Sequence, residues 1–381
     1  MVNIVFHNSR ASSSDTDEDI QAHEGELNEI QQDEIDPQIS QSLFRGWYPN
    51  NSREKITFSR KLIKSFGFVK GWGKNNSEKM DKFFRDIARD KLIRFSSKQL
   101  KIFTQNFSSV LGQCGYGKVY RGELANGVQV AVKVMAQEVV GEKEFMAEVG
   151  ILARLYHRNL IKLFGFCSNA SMKALVFEFM EKGALCNNCS IDWEKLYHII
   201  IGTAKGISYM HECCDQVIIH CDIKPANILL DSNFSPKIAD FGLIELYDRD
   251  VNHAPSILKG TRGYLAPELL TSSETTYKCD VYSFGITLFE VVGTRIHYLD
   301  PCSEKLKLFA KEVWDKFEKD KLEEILTDRR IEEKNREQVK ILLMVALWCV
   351  QRTPENRPSM STVVKILEGE MEITEPPNPR I

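Results

Sequence analysis

The stretch HCDIKPAN, from His220 to Asn227, and the triplet DFG at Asp240, Phe241 and Gly242 decide how this chain is read. Three polar groups recur in the first stretch at short, fixed intervals: Asp222, Lys224 and Asn227. Phosphoryl transfer needs such a set. One carboxylate orients the attacking hydroxyl and takes its proton, a lysine steadies the moving phosphoryl group, and an amide with a second carboxylate holds metal ions.

Upstream, LGQCGYGKVY runs from Leu111 to Tyr120 as a glycine-rich turn entering a strand. The Asn126-Gly127 pair follows, then the alternating Val128, Val130 and Val132, which predicts a two-residue hairpin. A dinucleotide-binding turn would open a helix on its far side. Here another strand follows the glycines, so they are expected to form a flap over phosphates, as in the protein kinases this stretch resembles, rather than a helix-capped turn. The strand ends in VAVK, placing Lys133 where it faces those phosphates, and a buried lysine is costly unless paired. Glu148 is its natural partner. It lies in a segment, Gly141 to Tyr156, that sets Phe145, Val149, Leu152 and Leu155 on one helical face. Short β runs follow at Leu160–Phe164 and Ala174–Met180. Beyond Trp193 the apolar spacing is helical, through Ile199–Met210, Val281–Val292 and Ile341–Val350.

A small β-rich half with one helix, then a larger helical half, resembles the eukaryotic protein kinases, and the motifs carry the resemblance over roughly Thr104 to Gly369. It implies an α+β, two-lobed protein kinase fold, with the domain at 104–372, an N-lobe of 104–180 and a C-lobe of 181–372. It implies ATP and Mg²⁺ as cofactors and protein serine and threonine hydroxyls as acceptors. Asp222 matches the family's catalytic base. Lys224 balances charge on the γ-phosphate, Lys133 held by Glu148 aligns the α- and β-phosphates, and Asn227 and Asp240 ligate the metal. The nucleotide site takes in Leu111, Gly112, Gly115, Gly117, Val119, Ala131, Glu178, Met180 and Leu229, with Phe177 at the gatekeeper position. Leu152, Leu163, His220 and Phe241 match the regulatory stack, and Val119, Ala131 and Leu229 the stack completed by adenine. The DIKPAN lysine and Thr261, in GTRGY, are of the serine/threonine type. Glu268, in APE, pairs with Arg357, and Asp280 braces the catalytic loop. Strings such as EFMAEVG, DVYSFG and VALWCVQ resemble plant receptor-like kinases, in particular the leaf-rust-resistance and thaumatin-like group.

Four departures from that pattern matter, and two of them, Cys114 and the shortened post-hinge segment, motivate the alternative of a pseudokinase scaffold. Cys114 stands where the second glycine of the loop belongs, and a side chain there hinders close backbone approach. Cys221 replaces the arginine that precedes the catalytic aspartate in many kinases. GALCNNCSIDWEKL is short where the family has a helix after the hinge, which bears on the ribose contact. The sequence also contains no extracellular domain and no membrane span.

Around this core, residues 1–42 are acidic and polar and are expected to be disordered. Residues 43–103 form a basic, juxtamembrane-like linker. Within it, Arg60, Lys61, Lys64 and Lys70 alternate with Phe58, Phe66, Phe68 and Trp72, a mixture suited to a solvated linker, an anionic membrane surface or a receptor partner. Residues 373–381 read as a tail. The net charge of −3 over 381 residues gives no ground for a nucleic-acid partner. The 10 cysteines follow no secretory signal, so reduced thiols are expected. Cys186 and Cys189 make a single CxxC, and a closed zinc site needs about four ligands. Position 2 is Val, which excludes myristoylation, and no apolar run approaches the roughly 20 residues of a membrane helix. The expected place is cytoplasmic, or the cytoplasmic face of the plasma membrane.

Overall fold

The computed structural model describes residues 92–114, 117–136, 141–188, 191–247, 254–255, 259–270, 274–296, 303–328 and 331–379. The acidic segment, most of the basic linker, Gly115 and Cys189 lie outside the described residues.

The first lobe is a six-stranded sheet of β1 (Ile93–Arg94), β2 (Val110–Cys114), β3 (Gly117–Glu123), β4 (Gln129–Met135), β5 (Leu163–Asn169) and β6 (Met172–Glu178). Its spatial order is β1-β5-β6-β4-β3-β2, antiparallel except for β1 on β5. Period-two alternation sorts β4. Val130 and Val132 go to the outer face, fully buried with Leu100, Ala174 and Val176, while Lys133 goes to the opposite face. Helix α1 (Ser97–Phe103) covers the outer face. It starts at a capping box, in which Gln99 N donates to Ser96 Oγ at 3.2 Å and Ser96 N donates to Gln99 Oε1 at 2.8 Å. Burial of a leucine such as Leu100, fully enclosed here, contributes about 1.5–3 kcal/mol. The boundary expected at residue 104 therefore falls inside the lobe: β1 and α1, read as linker, supply an edge strand and the lid of its outer core. Two residues of strand carry too little alternation to be seen in sequence.

The β3–β4 connection also differs from the expected two-residue hairpin. Leu124 N bonds Val128 O at 2.9 Å and Gly127 N bonds Leu124 O at 2.8 Å, leaving a three-residue loop. Gly127, at φ +81°, takes the left-handed position that such a loop demands. Helix α2 (Glu142–Leu152) buries Phe145, Val149 and Leu152 and stops before Leu155.

The second lobe is helical. Asp192 caps α3 (Trp193–Ser208), accepting from Lys195 N at 2.9 Å. It is followed by α4 (Lys278–Ile296), α5 (Ser303–Phe317), α6 (Leu322–Asp328), α7 (Glu333–Cys349) and α8 (Met360–Leu367). The tail lies back on this lobe: Trp348 Nε1 donates to Thr374 O at 2.9 Å and Gln351 Nε2 to Pro377 O at 2.7 Å. Short ladders set the site. Strand β8 (Val217–Ile219) pairs with β11 (Glu245–Tyr247), and β9 (Ile228–Leu230) lies between β7 (Gly183–Ala184) and β10 (Pro236–Ile238). HCDIKPAN is the link from β8 to β9, and DFG lies in the link from β10 to β11, so the two motifs meet at one edge.

Candidate active site

A cleft of about 880 Å³ opens between the lobes. Leu111, Val119, Ala131, Phe177, Met180 and Leu229 give it apolar walls, and Lys133, Glu178, Asn227 and Asp240 give it polar ends. An apolar slot with a few convergent polar groups is the usual form of a small-molecule site.

At its base the catalytic-loop side chains converge on one carboxylate. Asp222 Oδ1 accepts from Thr261 Oγ1 at 2.6 Å. Its Oδ2 accepts from Lys224 Nζ at 2.8 Å and from Asn227 Nδ2 at 2.9 Å. Lys224 Nζ also donates to Thr261 Oγ1 at 2.6 Å. Asn227 Nδ2 reaches Asp222 O at 2.8 Å, whereas its Oδ1 is buried and meets no donor among the described residues. A buried amide oxygen without a donor is costly unless something else fills that place.

Beneath the loop, Asp280 is wholly buried and organises the backbone. It accepts from His220 N at 2.8 Å, Cys221 N at 2.9 Å and His211 Nε2 at 2.9 Å. His220 donates from Nε2 to Ala239 O at 3.0 Å, while its Nδ1 accepts from Asp222 N at 3.2 Å. One imidazole thus links the catalytic loop to the residue before DFG. Its ring packs on Phe241 with centroids 5.2 Å apart.

Lys133 Nζ reaches Asp240 Oδ1 at 2.6 Å, and Asp240 sits at the left-handed φ of +66°. Burial alone would push the Asp240 carboxyl up, but the charge and hydrogen bond of Lys133 hold it below the ordinary value. Glu148 faces the same lysine from α2. Burial pushes its carboxyl above the ordinary value, against the pull of Lys133, and Asp240 adds to the rise.

Cys221 is buried at φ +64°, packed with Val217, Tyr247, Ala266 and Cys279. The Cys279 thiol is hydrogen-bonded to it and is pushed well up by that bond and by burial. Arg357, 1% exposed, holds Glu268 through two bonds, of 2.6 and 2.7 Å, and lies 5.0 Å over the Tyr282 ring.

The structure brings Asp222, Lys224, Asn227, Asp240 and Lys133 together, with Glu148 behind. Gly112 and Gly117 do not line the cleft. At Gly117 a Cβ would come within 2.0 Å of Val134 O, so the missing side chain serves the approach of β3 to β4. Sequence reasoning missed His211, the second holder of Asp280, and the Tyr264–Glu290 hydrogen bond that fixes the segment before APE. Neither has a local motif, since each pair is joined only by the fold. It also missed Lys182, Asn188, Lys195 and Phe234, which line the outer cleft beside the short post-hinge segment.

The protein kinase domain model matches residues 106–366. The chain is 41% identical over 312 residues to the G-type lectin S-receptor-like serine/threonine-protein kinase SD2-5 of Arabidopsis thaliana, covering 79% of this chain and 38% of that protein. It is 38% identical over 309 residues to a probable receptor-like protein kinase of Arabidopsis thaliana, covering 75% of this chain and 68% of the relative. To the rust resistance kinase Lr10 of Triticum aestivum it is 38% identical over 316 residues, 79% of this chain and 49% of that protein. The chain therefore spans well under half of the S-receptor-like relative and about half of the rust resistance kinase. A family model over most of the two lobes, and relatives of one kind from two plants, show that this chain belongs to the protein kinase family, among the plant receptor-like serine/threonine kinases.

Proposed function

We propose that the chain transfers the γ-phosphate of ATP to serine and threonine hydroxyls of proteins, in plant receptor-like signalling. The observation that carries this is the convergence on Asp222. Its two oxygens are held by Thr261, Lys224 and Asn227, so the carboxylate is oriented before substrate arrives. Asp222 takes the hydroxyl proton. Lys224 lies beside it to balance the phosphoryl charge, and Lys133, backed by Glu148, receives the inner phosphates. The apolar walls from Leu111 to Leu229 suit adenine, with Glu178 to Met180 along its edge.

Asn227 and Asp240 fit a magnesium site. The unpartnered Asn227 Oδ1 is a hard oxygen, and Asp240 is a carboxylate held ionised beside a lysine. Mg²⁺ is commonly bound through one or two protein oxygens together with substrate phosphates. When bound, the ion neutralises charge on the transferred group. Cys221 lies in an apolar cluster without a cationic fork, which favours activity that does not depend on a phosphate held beside Asp222. The four intact groups Lys133, Asp222, Asn227 and Asp240 weigh against a scaffold without catalysis.

No helix among the described residues is long and apolar enough to cross a membrane. We place the activity at the cytoplasmic side, with the part of residues 43–100 that precedes β1 as the segment that would meet an anionic membrane surface or a receptor partner. Co-sedimentation with anionic vesicles tests that placement. The decisive experiment is transfer of labelled phosphate from ATP by the purified chain beside Asp222→Asn. The variant should lose about 10²–10⁴-fold, and equal rates would overturn the reading.

A further inference from the structure

The segment before APE carries a cation that phosphoryl transfer does not use. Tyr264 N bonds Thr261 O at 3.0 Å, so Thr261–Tyr264 is a β-turn with Arg262 and Gly263 at its tip. The φ of +99° at Gly263 is of the sign a type II turn needs at its third residue. Both ends of the turn are clamped. Thr261 Oγ1 is bonded to Asp222 and to Lys224. Tyr264 is buried, donates its hydroxyl to Glu290, and accepts at its carbonyl from Ser283 Oγ at 2.8 Å. The tip is thereby fixed next to the catalytic base.

Arg262 is exposed and makes no hydrogen bond or ion pair among the described residues. Asp222, the carboxylate bonded to the neighbouring Thr261, is already paired with Lys224 at 2.8 Å. No ion pair among the described residues cancels the positive charge at the tip. A hydroxyl that gives its proton to Asp222 must come within about 3 Å of that carboxylate. Thr261 is already 2.6 Å from it, and Arg262 is the next residue. An extended substrate advances about 3.3 Å per residue. Residues one or two places from the acceptor therefore pass within the reach of a guanidinium.

We propose that Arg262 is a specificity residue selecting protein substrates with an Asp or Glu within two residues of the phosphorylated serine or threonine. This rests on the kinase reading above. The recognition is a guanidinium–carboxylate pair formed only with bound substrate, which adds orientation as well as attraction.

The test uses the full chain and peptides that differ only by Asp, Asn or Lys at the two positions on either side of one serine. For wild type, kcat/KM should favour Asp over Asn about 5-fold at one or more of these positions, the upper range for an exposed ion pair. In salt on the order of 1 M, where the screening length is about 3 Å, the ratio should fall toward one. Arg262→Gln should bring the Asp-to-Asn ratio to about one, and Arg262→Glu should turn the preference toward Lys. A wild type indifferent to Asp overturns the assignment, as does a preference that survives Arg262→Gln. If Arg262→Gln is inert on every peptide, the residue is structural and the assignment falls. Phosphorylation of the Asn peptide without acid preference sinks this role alone, whereas no phosphorylation of any peptide by wild type sinks the kinase reading with it.

Discussion

The floor beneath the catalytic loop and the outer rim of the cleft use the same kinds of charge at similar distances, with opposite physical weight. In the floor, Asp280 meets three donors at 2.8–2.9 Å and is wholly buried. Arg357 grips Glu268 from a buried position nearby. At the rim, Lys195 meets Asp192 at 3.0 Å, but both side chains are more than half exposed. Water screens the rim pair and offers each partner an alternative. It cannot reach the floor, where a lost partner leaves a charge stranded. The floor therefore fixes the position of the reacting groups, and the rim is free to vary without moving them.

Removing one partner of the floor is the hardest blow to that contrast. Arg357→Ala leaves Glu268 without its bidentate partner, removes the cation over Tyr282 and empties a buried volume. Breaking a buried pair costs about 3–5 kcal/mol, which for a domain of this size lowers Tm on the order of 10 °C. Arg357→Lys keeps the charge but not the fork, and should recover only part of the loss. Thermal unfolding followed by circular dichroism measures both. A shift for Arg357→Ala as small as that of a rim variant would erase the distinction.

The floor and the rim were unequally legible in the sequence. Asp222, Lys224, Asn227 and Asp240 stand in short motifs because one loop and one turn must carry them together, and the resemblance of those motifs to the protein kinases singled them out. Asp280 was found through its own motif, while its partner His211 was not, because their 2.9 Å contact joins a turn after α3 to the start of α4. The sheet was legible where alternation was long, as in β4, and not where β1 contributes only Ile93 and Arg94. The rim was least legible. Lys182 and Phe234 stand 5.2 Å apart, cation over ring, through the meeting of the post-hinge turn with the β9–β10 turn, and neither segment carries a pattern. Gly117, read from sequence as part of the nucleotide site, also has a structural reason to lack a side chain, the close approach of Val134 O.

Glu148 lies between the two regimes, enclosed enough to feel burial and close enough to the cleft to act on it. Its carboxyl is raised above the ordinary 4.5 by burial, against the pull of Lys133. A raised carboxyl holds its proton more tightly folded than unfolded. It therefore adds stability that is complete below about 4.5 and is lost as pH rises through the folded value. Activity runs the other way. As pH falls through the same window, Glu148 loses the charge that draws Lys133. Asp240, held below its ordinary value, stays ionised there. Wild-type kcat/KM should show an acid limb above pH 4.5. Glu148→Gln should be flat across that limb and lower at neutral pH, on the order of 10-fold to 10²-fold, as a misplaced phosphate ligand would be. An acid limb unchanged in Glu148→Gln would assign it to another group.

The smallest expected effect sharpens the comparison from the rim. Asp192 and Lys195 form an exposed ion pair, but the two residues are not equivalent. Asp192 Oδ1 also accepts from Lys195 N and so caps α3. Lys195→Ala removes the ion pair and its contact with the Phe234 ring while leaving the cap in place. It should change Tm by no more than about 1 °C, within the range of screened surface pairs. Asp192→Ala removes pair and cap together and should cost visibly more, because a backbone N–H at the start of α3 then lacks its acceptor. Raising salt should shrink the Lys195→Ala effect toward zero and leave most of the Asp192→Ala effect, since a capping hydrogen bond is short-ranged and screening acts mainly on separated charges. Equal losses in the two variants, with equal salt dependence, would mean that the pair rather than the cap holds the rim, and that exposure has been given too much weight in separating rim from floor.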